Sequence, residues 1–274
     1  MENLNTIGKI AFIGCGAMGE AILKGIIGAK MAQGEGISVS LPSMVRREYL
    51  AKTYGVKTFS ENAQAVCNAD IVILAVKPQM VGAAITEEVV AAIPEKATIV
   101  SIMGSVDLEK LHKIIPKNAV IRVMPNTPLA VGAGMTAVAP DAMASRSTIE
   151  AVKGIFCACG EVVEVQESSM DAITAISGCG PGYVFMLIDA LADAGVNAGL
   201  TRALAIKLAA QTFAGAGKMV VETGLHPAQL RDQVTSPGGT TIAGIHALEL
   251  HGVRGAMYDA VNAVLLRSEK LKGK

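Results

Sequence analysis

Short β-branched and aliphatic runs alternate with longer stretches of helical periodicity through roughly the first 165 positions, the pattern of crossover units on a mainly parallel sheet. Strands are predicted at 8–13, 37–41, 70–76, 97–101, 119–123, 135–138 and 161–165, with helices between them. Asp141 is placed as the N-cap of a helix running to Cys157, and Ser105, Asp107 and Glu109 as the acidic opening of a shorter one. After Val165 the β-branched runs stop. Successive helices follow, broken at Gly178-Cys179-Gly180-Pro181, at Gly199, at 224–227 and at Pro237-Gly238-Gly239. Apolar residues occupy almost every side of 183–191 and much of 203–221, so these helices are expected to be buried on more than one face, partly in another subunit. The prediction is an α/β chain, with a Rossmann-like domain over 1–165 and an all-helical domain over 166–274.

Composition sharpens this picture. Apolar residues make up 51% of the 274 and aromatic residues 3%, enough to bury a large core but without platforms for stacking bases. Basic and acidic side chains balance at 24 each, so no stripe for a polyanion is present and nucleic acid is not an expected partner. The five cysteines form no C-x-x-C pair, which predicts free thiols instead of a zinc site or disulfide framework, with Cys157 and Cys159 as small buried hydrophobes. His112, His226, His246 and His251 show no metal or triad spacing, and no metal is expected. There is no leader pattern, and no run reaches about 18 uninterrupted apolar residues, Asp189 and Asp193 breaking the best candidate. A cytoplasmic protein away from membranes is expected.

The chemistry begins at Gly14, Gly16 and Gly19, directly after the first strand and before a helical run. In that context the first glycine allows a tight turn, the second lets the backbone approach a pyrophosphate, and the third lets helix and strand pack closely. Gly14, Gly16, Ala17, Met18 and Gly19 are therefore expected against a dinucleotide. The second strand ends without the acidic residue that bonds a ribose diol. Instead Ser40, Pro42 and Ser43 precede Arg46 and Arg47, which suits a 2′-phosphate and hence NADP, unless the arginines only solvate the next helix. Ala75, Val76, Lys77 and Pro78 follow a strand at the carboxyl edge where cofactors lie; Lys77 either touches the ribose or caps the sheet edge. Met103, Gly104 and Asn126 also follow strands, near the nicotinamide or in structural turns.

Ser236-Pro237-Gly238-Gly239-Thr240-Thr241 precedes a helix predicted over 242–250, and its amides and hydroxyls make an anion nest sized for a small carboxylate. An N-cap with a tight turn is the plainer reading, but needs fewer such residues. Together with the stretches 122–128 and 177–183, these segments resemble the pyrroline-5-carboxylate reductase family, over residues 8 to about 265. The resemblance implies NADPH-dependent, less often NADH-dependent, reduction of the cyclic imine 1-pyrroline-5-carboxylate to L-proline, the last step of proline synthesis. It implies a helical C-terminal dimerisation domain, with some members joining five dimers in a ring. It puts Thr241 at the imine nitrogen, the substrate carboxylate against Ser236, Gly238, Gly239 and Thr240, and Asn62 near the adenosine ribose. Ser177 to Pro181 either starts a helix or walls the substrate pocket. The chain departs from the family at Leu41-Pro42, which displaces the usual arginine, and at Gln233, where some members have asparagine. Two alternatives stand beside this reading: a β-hydroxyacid-type dehydrogenase, for which Lys207 is the available helical lysine, and a non-catalytic dinucleotide sensor.

Overall fold

The computed structural model describes residues 7–272. The chain forms two compact units. One runs up to Gly178 and takes in the chain from Arg267 onward; the other is Cys179–Leu266.

The first unit is built on eight strands: β1 Ile10–Ile13, β2 Ile37–Ser40, β3 Lys57–Phe59, β4 Ile71–Leu74, β5 Thr98–Ser101, β6 Val120–Met124, β7 Gly134–Pro140 and β8 Gly160–Glu164. Their order is β3-β2-β1-β4-β5-β6-β7-β8. Pairing is parallel from β3 to β6, antiparallel between β6 and β7, and parallel again between β7 and β8. Every residue of β1, β4, β5 and β6 is buried, which is why these strands read as continuous apolar runs: helices cover both faces of the sheet. The seven strands expected from the sequence are all present. β3 was not expected, because three residues on an edge, with Lys57 exposed, carry no apolar run.

Helix α1, Ala17–Gly28, lays Gly19, Ile22, Leu23 and Ile26 on the sheet. The side chains of Ile22, Leu23 and Ile26 share a core with Phe12, Val39, Val123 and Phe156. Helix α2, Met44–Tyr54, is capped by Ser43 and stopped by Gly55 at φ +68°. The next expected cap is corrected. Asp141 does not open a helix; Ser145 does, accepting from the Thr148 amide, and the helix is Arg146–Cys157. Asp141 is occupied elsewhere: Oδ1 accepts from the amides of Met143 and Ala144, at 2.9 and 2.8 Å, and Oδ2 from that of Val120 at 2.8 Å. Asp107 caps the helix Leu108–Ile114, with Glu109 in its first turn as expected. Cys159 is buried but Cys157 is exposed, contrary to expectation, because it ends its helix facing solvent.

The first unit extends past residue 165, since Met170 is fully buried against Met124, Ala137 and Ala139. The break expected over 178–181 falls at Cys179, the N-cap of the next helix. A π-helical turn, Thr174–Gly178, leads through Cys179 into Gly180–Asn197, where Pro181 takes an opening position that needs no amide proton.

The second unit consists of Gly180–Asn197, Arg202–Thr223, Pro227–Gln233, Thr240–Leu250 and most of Val253–Lys272. Its buried apolar cluster is Ala192, Ala205 and Ala209, three methyl groups where the first two helices meet. A Cβ on Gly195 would lie 3.1 Å from that of Ala205, so this crossing is close-packed. Large apolar side chains stand outward, Phe185 at 62%, Val221 at 74% and Leu250 at 73% exposure.

Candidate active site

Each fingerprint glycine has a distinct physical reason. Gly14 sits at φ +79°, and a Cβ there would meet Val76 Cγ1 at 2.8 Å and the Ala75 carbonyl at 2.9 Å. Its amide donates to the Ser40 carbonyl at 2.8 Å, which ties the turn to β2. Gly16 faces open space and is the N-cap of α1, without a side chain to satisfy the helix amides. Gly19 lies under the turn, where a Cβ would come 3.4 Å from that of Ala75. The uncapped, positively polarised end of α1 beside an unobstructed Gly16 fits a dinucleotide pyrophosphate. Ala17 is exposed and Met18 half-buried on the same turn. Cys15, inside the motif, is not a reactive thiol: burial pushes it up to about 12, the Arg46 charge opposing and Glu20 adding.

Around this cradle several of the expected contact residues have side chains already bonded within the fold. Ser40 is fully buried and its hydroxyl donates to the Phe12 carbonyl at 3.2 Å, so no hydroxyl is offered to a ribose. Met103 is 1% exposed within the core and offers backbone alone. Asn126 is spent on its neighbours: Oδ1 accepts from the Met135 amide at 2.9 Å and Nδ2 donates to the Ser177 carbonyl at 3.2 Å. Asn62 donates to the Ala84 carbonyl at 2.8 Å and is half-buried. Lys77 and Pro78 are exposed beyond the carboxyl end of β4, next to half-buried Ala75 and Val76, and Gly104 follows β5 half-buried. Arg47 Nη1 donates to the carbonyls of Leu41 and Pro42, both at 2.8 Å.

Arg46 reaches Glu20 in the first turn of α1 with Nη2. The phenols of Tyr54 and Tyr49 donate to the other carboxylate oxygen at 2.8 and 3.0 Å, and the guanidinium lies 5.0 Å above the Tyr49 ring. Burial alone would raise the Glu20 carboxyl; the hydrogen bonds from Arg46, Tyr54 and Tyr49 outweigh it and hold the group below the usual carboxylate range. Sequence reasoning missed this cluster. Its signal was an acidic residue on the opening turn of an anion-binding helix, which demands a cationic partner.

In the second unit the 236–241 segment forms a turn closed by the Gly239 amide donating to the Ser236 carbonyl at 3.0 Å, with Gly238 at φ +68°. Gly239 is the N-cap of Thr240–Leu250, again without a capping side chain and without an acid in the first turn. A Cβ on Gly239 would lie 2.4 Å from the Ser236 hydroxyl, so the glycine makes room for it. Ser236, Gly238, Thr240 and Thr241 are exposed. This arrangement can hold a small anion through free amides and hydroxyls. Lys207 is exposed on Arg202–Thr223. His226 opens Pro227–Gln233 as half of a capping box with Gln229, and His112 lies 3.0 Å from Asp141. Among the described residues there is no group of three or more metal-ligating side chains. One helical stretch among them, Glu167–Asn197, is long and apolar enough to cross a membrane by length and composition, with 11% of its apolar window buried; Asp189 and Asp193 do not prevent this.

Residues 167–271 match the family described as pyrroline-5-carboxylate reductase dimerisation, and residues 9–105 the family described as NADP oxidoreductase, coenzyme F420-dependent. A pyrroline-5-carboxylate reductase from Synechocystis is 46% identical over 263 residues, covering 96% of this chain and 98% of its own length. The structure of a pyrroline-5-carboxylate reductase from Coxiella burnetii superposes with a TM-score of 0.90 at 35% identity, over 97% of this chain and 99% of the other. A pyrroline carboxylate reductase from Plasmodium falciparum with NADP bound superposes with a TM-score of 0.87 at 33% identity, over 96% and 98%.

Proposed function

Because the chain belongs to the pyrroline-5-carboxylate reductase family, we propose that it reduces 1-pyrroline-5-carboxylate to L-proline with NADPH, holding the dinucleotide on its glycine turn and the substrate on residues 236–241. When bound, NADPH supplies a hydride to the imine carbon, and the ring nitrogen takes up a proton as the C=N bond becomes a C–N bond. The protein's part is to bind, orient and stabilise. In our reading the amides of Gly238 and Thr240, with the Ser236 and Thr240 hydroxyls, hold the substrate carboxylate against the open backbone at Gly239. The Thr241 hydroxyl donates to the ring nitrogen as electron density moves onto it, or holds the iminium formed by prior protonation. No strong acid is needed.

The observation that carries this reading is the helix start behind Gly238 and Gly239, which has neither a capping side chain nor an acid in its first turn and is flanked by the exposed hydroxyls of Ser236, Thr240 and Thr241. Thr241→Ala tests it. Dinucleotide binding is expected to persist while turnover falls by the equivalent of about 2 to 4 kcal/mol, the worth of one donor aimed at developing charge. Purified protein that consumes NADPH no faster with the imine than without it would end the reductase reading, and unchanged turnover in the variant would remove Thr241 from its role.

The outward apolar side chains of the second unit are read as the seat of a second copy, supported by the dimerisation family that this region matches. Whether dimers go on to a ring of five is read by sedimentation. We place the protein in the cytoplasm, where its dinucleotide is available, and read the exposed apolar side chains of Gly180–Asn197 as interface and not as part of a membrane span.

A further inference from the structure

Glu20 is out of place by the usual logic of a phosphate-binding helix. An anionic side chain in the first turn of α1 competes with the ligand for the same positive helix end, yet three donors from α2 hold it there. Arg46 gives Glu20 only Nη2, and its other guanidinium nitrogens have no partner among the described residues. The side chain remains 32% exposed and is seated on the Tyr49 ring. It lies just past the carboxyl end of β2, where a doubly wound fold receives the adenosine ribose and where this chain has no acid to bond a ribose diol. Arg47, the other candidate, is turned back onto the Leu41 and Pro42 carbonyls.

We propose that Glu20 and Tyr49 are positioning residues for cofactor choice: they fix Arg46 with one edge held and the other open to the 2′-phosphate of NADPH. A guanidinium set in place by one carboxylate loses little freedom on taking a second anion, and its planar fork suits phosphate oxygens. The inference rests on the reductase reading only for the identity of the dinucleotide.

The test is titration calorimetry of the full-length protein with NADP⁺ and, separately, NAD⁺. Arg46→Met is expected to weaken NADP⁺ binding by about tenfold or more, the worth of hydrogen bonds to a charged group, and to leave NAD⁺ unchanged. Glu20→Gln keeps the shape but releases the anchor, and a smaller loss, again for NADP⁺ alone, is expected. Tyr49→Phe keeps the ring under Arg46 and removes one bond to Glu20, giving a loss smaller still. Equal losses for both dinucleotides in Arg46→Met, or tighter NADP⁺ binding in Glu20→Gln, overturn the proposal; the second result would make Glu20 a competitor of the phosphate. Imine-dependent oxidation of NADPH and NADH by the unaltered protein separates this failure from failure of the reductase reading, because Arg46 bears on the choice of dinucleotide and not on whether the imine is reduced.

Discussion

At the scale of single residues, the same amino acid answers to different constraints in one motif. Gly14→Ala meets both a left-handed backbone and the wall formed by Ala75 and Val76. It is expected to destabilise the first unit by about 1 to 3 kcal/mol, seen as a lowered thermal midpoint. Gly16→Ala meets nothing; its stability should stay within about 0.5 kcal/mol of the parent while NADP⁺ affinity falls, since only the ligand's approach is blocked. Glu20 adds a pH signature. Its folded carboxyl titrates below the unfolded value, so its stabilisation is complete above the ordinary carboxylate range and is lost as pH falls through that range to the folded value. Thermal scans from neutral to acid pH should show a shallower acid limb in Glu20→Gln. At this scale the sequence was only partly legible. Type and spacing exposed the three glycines, but nothing in a string of letters tells whether Ser40, Asn126 or Arg47 faces a ligand or a neighbouring carbonyl, and in this fold each faces a neighbour.

Elements were far more legible where burial is complete. β1, β4, β5 and β6 are covered on both faces and announce themselves as apolar runs; β3 is a short edge with one lysine outward and does not. The misplaced start of Arg146–Cys157 has a similar cause. Asp141 and Ser145 are both good caps, and the choice was decided by a distant partner, the Val120 amide, which occupies Asp141. That difference is measurable. Ser145→Ala removes one cap and should cost about 1 kcal/mol. Asp141→Ala removes the shared acceptor of the part-buried Val120 and Ala144 amides and of the exposed Met143 amide and should lower the thermal midpoint clearly further, since a hydrogen bond to a charged group is worth about 1.5 to 3 kcal/mol.

For the whole molecule, the division into an α/β unit and a helical one followed from where β-branched runs end, although the first unit keeps Met170 and the π-helical turn after it. The outward apolar side chains of the second unit predict a thermal midpoint that rises with protein concentration, because association stabilises the folded state by mass action. Leu250→Glu, at a 73% exposed position, should shift sedimentation toward a smaller species and leave NADP⁺ binding by the first unit intact. The three methyl groups at the crossing of Gly180–Asn197 and Arg202–Thr223 have an evolutionary corollary. Alanine is already nearly the smallest side chain available, so at Ala192, Ala205 and Ala209 the lineage has no room to grow bulk without prying two long helices apart. Trimming to glycine costs about 1 kcal/mol of helix propensity per site, with the packing of one methyl group lost besides. Drift along that line of contact is therefore one-way, and innovation in this half of the enzyme is steered outward, onto the faces of the helices that the seam leaves free.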